Sequence, residues 1–246
     1  MYEDSELFDD QLLQDYMNGF YGYGSYSGDF WFVGMEEGST GRFDEICRRI
    51  TGWSRRGRSE LEDVVDYHNS IGISGLFEPS SRIQPTWGGL IKIILSAQGQ
   101  DINRESVRRF QQSLLGRKEG NNCLLELLPL PSPSTGDWLY ARHSRLPELV
   151  SRQTYMGYYA RRRAQSIRER IESHKPKAVV FYSFNGQYRQ WWSVIAGRPF
   201  TFDQENSVYV AQGDSTLFVI SKHPTAFHVS NGYFREVGKM IAQRSQ

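Results

Sequence analysis

Apolar residues along this chain fall into two patterns, short unbroken runs and longer stretches with helical spacing. The runs are Phe30-Trp31-Phe32-Val33, Cys123-Leu124-Leu125-Glu126-Leu127-Leu128, Ala178-Val179-Val180-Phe181 and Leu217-Phe218-Val219-Ile220. Such runs, bounded by polar or turn residues, are the pattern of strands buried on both faces. Helical spacing appears in residues 5–18, where Leu7, Leu12, Leu13 and Tyr16 are apolar, and at Phe43, Ile46, Cys47 and Ile50, with Ser39 or Thr40 as an N-cap. Further helices are predicted over residues 59–68, around Trp87, Leu90, Ile91, Ile94 and Leu95, and over 102–115 opened by Asp101. The last three span 151–173, 187–196 and 231–244, and residues 200–211 read as a small β-hairpin. Strands alternating with helices predict an α/β fold: three layers, α/β/α, around a central, mainly parallel, four-stranded sheet with right-handed crossovers. Residues 30–246 are expected to form one domain, with residues 1–29 supplying an acidic helix and a Gly/Tyr/Ser loop packed on it.

Two of the runs stop at chemistry. The first strand ends in Gly34-Met35-Glu36-Glu37-Gly38 and the last in Ser221-Lys222-His223-Pro224-Thr225. In an open α/β sheet, ligands bind outside the carboxyl ends of the strands, so two carboxylates and a histidine are expected in one composite site. A carboxylate can stabilise a cationic sugar or orient a water that attacks it, and a neutral histidine can donate a hydrogen bond to a departing group. Together they suit cleavage of an N-glycosidic bond.

Charge is unevenly spread. The formal net charge is +1, yet residues 1–41 hold nine acidic residues and no Lys or Arg, and the remainder carries a net +10. Arginine supplies 23 of the 29 basic residues, clustered at Arg48, Arg49, Arg55, Arg56 and Arg58, at Arg104, Arg108 and Arg109, and at Arg161, Arg162, Arg163, Arg168 and Arg170. Guanidinium groups suit phosphate contact, so these clusters read either as grips on a polyanion or as solvated helix faces. The N-terminus lacks a basic-then-apolar leader and no apolar run reaches the ~20 residues of a membrane span, so a soluble cytoplasmic protein is expected. Cys47 and Cys123 are expected to be reduced residues in apolar runs, too few for a cysteine-ligated cluster, and no metal or other cofactor is expected. The stretch 34–41 lacks the lysine of a phosphate-binding Walker loop.

With these motifs in order along residues 30–244, the chain resembles the uracil-DNA glycosylase superfamily. That family has a strand ending in Gly-x-(Asp/Asn/Glu/Ala)-Pro-(Gly/Tyr) and a later strand ending in His-Pro-Ser before the last helix. Here they read Gly34-Met35-Glu36-Glu37-Gly38 and His223-Pro224-Thr225, and residues 179–186 fit the family's third strand and its turn. Glu36 falls where several branches carry the catalytic Asp or Asn. Glu37 replaces the usual proline, so either glutamate qualifies, and Asp44 is a third candidate. The iron-sulfur cysteines of some branches are absent. No uracil-reading asparagine is evident, and the corresponding stretch holds the 129–133 proline loop with Ser132, followed by Trp138 and Tyr140.

The resemblance implies a DNA partner, a base flipped from the stack, and a monofunctional glycosylase that leaves an abasic site. It places Tyr23, Tyr26 or Trp138 against the base, His223 on its anion, and Pro224 and Thr225 beside it. Phe227 and His228 would reach the DNA as a wedge, with the Arg clusters on phosphates. The departures from the family pattern favour a remodelled pocket for a bulky modified pyrimidine, such as glucosylated hydroxymethylcytosine in phage DNA, with a role in antiviral defence. Uracil repair, a catalytically idle binder of modified bases and a small-molecule nucleosidase are the alternatives.

Overall fold

The structure, a computed structural model, describes residues 6–134 and 136–245. The chain begins with α1 (Asp10–Gly19), β1 (Gly22–Gly24), β2 (Phe30–Gly34), α2 (Phe43–Arg55), β3 (Leu61–Glu62) and α3 (Val64–Ser70). It continues through α4 (Pro85–Ala97), α5 (Arg104–Ser113), β4 (Asn122–Glu126), α6 (Tyr140–His143), α7 (Arg152–His174) and β5 (Ala178–Phe181). It closes with α8 (Gly186–Ala196), β6 (Thr201–Asp203), β7 (Val208–Gln212), β8 (Leu217–Ile220) and α9 (Asn231–Arg244). This is an α/β fold built on one mixed sheet, in the order β3-β1-β4-β2-β5-β8-β7-β6.

The four apolar runs lie side by side as β4-β2-β5-β8, all parallel. Every residue of β2, β5 and β8 is buried, so both faces of the sheet are covered there. That double coverage is why these strands read as continuous rather than alternating apolar runs. Each fully buried large side chain contributes about 1.5–3 kcal/mol, enough to hold the strands in place.

The expected four-stranded sheet is too small. β1 and β3 extend it beyond β4, and β7 and β6 extend it beyond β8, with β1, β6 and β7 each antiparallel to a neighbour. β1 was hidden in the Gly/Tyr/Ser loop because its glycines break the usual strand signature. Gly22 and Gly24 have φ of +143° and +101°, and a Cβ on Gly22 would fall 1.9 Å from the Leu124 carbonyl oxygen. Only glycine allows the two backbones to pair so closely.

Local capping moves several boundaries. The 59–68 segment is not one helix: β3 comes first, and Asp63 then caps α3 by accepting from the amides of Val65 and Asp66. α5 starts at a reciprocal Asn103–Ser106 capping box rather than at Asp101. α1 starts at Asp10, capped by Asp9; the expected start at residue 5 lies outside the described residues. Trp192 is buried, whereas Trp87 and Trp191 are only partly so. Cys47 and Cys123 are free thiols. Among the described residues, no helix is long and apolar enough to cross a membrane.

Topology places the chemistry. From β2 the chain crosses to β4 on one side, then returns past β2 to β5 on the other. The connections therefore diverge between β2 and β5, and a crevice is expected at the carboxyl ends of those strands. Because the four central strands are parallel, Glu126, the residues after Gly34, Tyr182 and His223 all leave the sheet at this one edge. Gly22→Ala should cost about 3 kcal/mol or more, since backbone rather than side chain would have to move; urea unfolding of the variant measures it.

Candidate functional site

The turn after β2 is held from both sides. Leu127 and Leu128 donate their amides to the carbonyls of Gly34 and Met35, and Ser132 donates its amide to the carbonyl of Glu37 at 3.0 Å. The proline loop 129–133 is thus a support for this turn, bridged to it at Gly38. The hydroxyls of Tyr140 and Tyr155 brace that loop, bonding the Pro131 carbonyl and the Leu130 amide. Trp138 packs on both tyrosines and donates its indole N–H to the Leu149 carbonyl. Ser132 Oγ donates internally to the carbonyls of Ser134 and Asp137. Trp138 and Ser132, expected against a base, are here struts of the loop.

The two adjacent glutamates have different surroundings. Glu37 turns inward, accepting the Tyr23 hydroxyl at 3.0 Å on each carboxylate oxygen. Arg49 Nη1 lies 2.9 Å from Glu37 Oε1 as an ion contact without hydrogen-bond alignment, and His68 Nε2 lies 3.5 Å away. Arg49 Nε also bonds Glu45 at 2.9 Å, and Glu45 in turn accepts the Thr40 amide. Burial pushes the Glu37 carboxyl up, but Arg49, His68 and Tyr23 outweigh it and hold the group at about 2. Glu36 instead pairs with Arg152, whose Nη2 donates to both carboxylate oxygens and, at 2.9 Å, to the Tyr188 hydroxyl. Burial pushes Glu36 above its ordinary value, and Arg152 recovers only part of the shift.

A third carboxyl joins them from β4. Glu126 Oε1 accepts the Tyr182 hydroxyl at 2.9 Å, while Oε2 has no partner among the described residues. Gly34 makes this possible: a Cβ there would lie 2.1 Å from the Tyr182 oxygen and 2.3 Å from Glu126 Oε2. Burial raises Glu126 well above the carboxylate range; the Tyr182 bond opposes this, and the charges of Glu37 and Glu36 add to it.

On the other side of β5, the Tyr182 and His223 rings stand 5.8 Å apart. His223 Nδ1 takes the Thr225 amide at 3.2 Å and lies 2.9 Å from its hydroxyl. With Nδ1 accepting, the neutral ring carries its proton on Nε2 and presents a donor there. Burial pushes the ring's pKa below its ordinary value, favouring that neutral form. Pro224 seats the turn on α4, where a Cβ on Gly89 would meet it at 2.7 Å. Beyond it, Phe227 is 88% exposed and packs against His228, whose φ of +60° is left-handed.

Several sequence expectations are corrected. Asp44 sits on the surface, bound by Arg42 and Arg48; its neighbour Glu45 is the one that turns inward. Tyr23 is buried among Phe20, Tyr67 and His68 and holds a carboxylate, leaving no free face for stacking. Tyr26 leaves antiparallel β1 at the opposite edge of the sheet, where it packs on Trp31 and His174 and bonds Glu60. Arg49 and Arg163 are not surface grips. Arg163, 1% exposed, donates to the carbonyls of Glu126 and Leu127 and lies over the Tyr21 ring. Other cluster members are paired, Arg56 with Glu62, Arg58 with Asp15 and Arg168 with Glu172.

Sequence reasoning missed Arg152, Glu126 and Tyr182. Two had a signal: Glu126 interrupts an apolar run, and Arg152 follows the Ser151 cap, where the helix dipole disfavours a cation. Gly38 faces open space, with nothing within 4 Å of a Cβ placed there. Several surface cavities of about 320–620 Å³ lie away from this turn, for example between α2 and α3 along Cys47, Arg55 and Ile71. Among the described residues, no group of three or more His, Cys, Asp or Glu could hold a metal ion. No family model matches this sequence, and no curated protein matches it.

The carboxyls should titrate stability in opposite senses. Glu37 has a folded pKa below its ordinary 4.5, so its contribution is present above that value and lost as pH falls toward 2. Glu37→Gln should remove roughly 3 kcal/mol of acid-dependent stability across that window in urea titrations. Glu126 has a raised folded pKa, so its contribution fades as pH climbs from its unfolded toward its folded value. Glu126→Gln should therefore gain stability relative to the native chain as pH rises, read from the same titrations.

Proposed function

We propose that this chain is a monofunctional DNA glycosylase that hydrolyses the N-glycosidic bond of a flipped, modified pyrimidine. The observation that carries the reading is that the Glu36 turn and the His223 turn leave the parallel strands at the same end, with His223 Nδ1 taking the Thr225 amide, beside an exposed aromatic tip. Glu37, fixed by Tyr23 and Arg49, is the anchor of the turn, which leaves Glu36 as the working carboxylate. The C1′–N bond breaks with its electron pair going to the base, and His223 Nε2–H stabilises the resulting anion. Glu36 stabilises the cationic sugar and orients the water that adds to C1′; one proton of that water ends on the departing base. Phe227 fills the gap left in the stack, with His228 behind it.

The four parallel strands, buried on both faces, support a three-layer α/β/α arrangement of uracil-DNA glycosylase type. Open space at Gly38 and a glutamate in place of the family's proline favour a bulky base such as glucosylated hydroxymethylcytosine. In that reading the protein acts in the cytoplasm against phage DNA, with uracil as the alternative substrate.

Incubation with uracil-containing DNA and with glucosylated phage DNA, followed by mass spectrometry of the released base, tests both levels. Release of the glucosylated base is expected. Release of uracil alone overturns the substrate class, and release of nothing overturns the enzyme. Glu36→Gln and His223→Gln should each lower the single-turnover rate by about 10²-fold or more. Activity needs neutral His223, so its acid limb should lie below the ring's ordinary 6.5.

A further inference from the structure

Arg152 poses an electrostatic problem that the proposed reaction does not explain. Its guanidinium touches both oxygens of Glu36, and the two side chains are only 12% and 8% exposed. A carboxylate paired at contact with a cation has little charge left for a cationic sugar, and the guanidinium itself opposes a second positive charge nearby. The pair as it stands describes a resting site.

The guanidinium is also only partly used. All its hydrogen bonds, to Glu36 and to Tyr188, go through Nη2. Nε and Nη1 donate to no group among the described residues, and neither is a buried unpaired atom. Both planar forks of a guanidinium, Nε with Nη2 and Nη1 with Nη2, include Nη2, so a phosphate can take a fork of Arg152 only by displacing Glu36. Arg152 moreover opens the 23-residue helix α7, just after the Ser151 cap. A helix N-terminus repels a cation and attracts an anion, so a second anion beside Arg152 is favoured by the backbone as well.

We propose that Arg152 is the positioning residue of this site, exchanging Glu36 for a phosphate of the bound nucleic-acid strand so that the carboxylate is released only when substrate is seated. The inference rests on the glycosylase reading and adds to it a trigger: free Glu36 and bound phosphate occur together. Substrates without the phosphate leave the pair closed, so a free nucleoside is a poor substrate even where its base fits. Groups facing Glu36 are Arg152 and Tyr155 from α7, Tyr188 from α8, Tyr140 from α6 and Glu126 from β4. Arg152 is the cation among them. Its loss therefore leaves burial of Glu36 unopposed in the free protein, so the Glu36 ionisation moves up and adds its own step to the acid limb set by His223 when release is measured at subsaturating protein.

The test uses the full chain and synthetic duplexes carrying either uracil or glucosylated hydroxymethylcytosine. In each duplex a neutral methylphosphonate replaces one phosphate flanking the target nucleotide. Binding by fluorescence anisotropy and single-turnover base release are measured for the native chain, Arg152→Lys and Arg152→Gln. At one flanking position the replacement should cost the native chain about 10-fold in affinity and Arg152→Gln nothing further, with Arg152→Lys between them. Arg152→Gln should also show the added step in the acid limb at subsaturating protein. Equal losses for the native chain and Arg152→Gln at every position overturn the proposal while leaving the glycosylase reading in place. Coupled binding without base release from any duplex overturns the glycosylase reading and keeps the Arg152–phosphate contact. No DNA binding at all overturns both. Should Arg152→Gln fail to fold with Glu36 unpaired, the double variant Glu36→Gln/Arg152→Gln removes both charges and supplies the binding comparison.

Discussion

The turn that presents the candidate site depends on one buried guanidinium. Arg49, on α2, reaches Glu37 with one nitrogen and Glu45 with another, and all three side chains are largely buried. Removing a single partner from such a group leaves a buried charge uncompensated, typically at about 3–5 kcal/mol, whereas the intact network roughly balances its own desolvation. Its value here is geometric more than energetic. It ties the turn after β2 to the helix that follows, with Tyr23 from β1 closing the arrangement from the sheet.

That anchor separates two neighbouring glutamates into different chemical roles. Residues 36 and 37 are adjacent, so their side chains leave the turn in different directions, and each meets its own arginine. Glu37 meets a guanidinium, a tyrosine hydroxyl and a histidine, which together overcome burial and keep it ionised. Glu36 meets a guanidinium that only partly offsets burial. Glu126, where burial and the charges of Glu37 and Glu36 outweigh the Tyr182 hydroxyl and the more distant Arg163, is pushed well above the carboxylate range. Three carboxyls at one sheet edge thus differ in ionisation because their numbers of charge partners differ.

Much of this was legible in the residue order. The four buried strands follow from runs that no other half-buried element would tolerate, and the polar stops at Glu36 and His223 mark the edge where they meet. The helix stretches read well but their caps did not: α2 follows Arg42, which makes no side-chain cap bond, rather than Ser39 or Thr40, and α5 follows Asn103 rather than Asp101. What misled was short-range inference about long-range partners. Tyr23 and Tyr26 look equivalent in a Gly/Tyr loop, yet an unsuspected antiparallel strand sends them toward opposite edges of the sheet. Arg163 sits in a triple-arginine run that looks solvated, yet it closes on carbonyls at the end of β4.

The sequence alone determined the α/β class, the central strands and the two polar turns, because each rests on local periodicity and on residue types that act over a few positions. Tertiary structure decided which glutamate is the anchor, that Glu126 and Tyr182 share the edge, that Arg152 covers Glu36, and that the arginine clusters are largely paired. These depend on contacts between residues far apart in the chain, such as Glu36 with Arg152 and Tyr182 with Glu126. Only the folded sheet brings such partners within the few ångströms at which charge and hydrogen bonding act, and burial then fixes their ionisation.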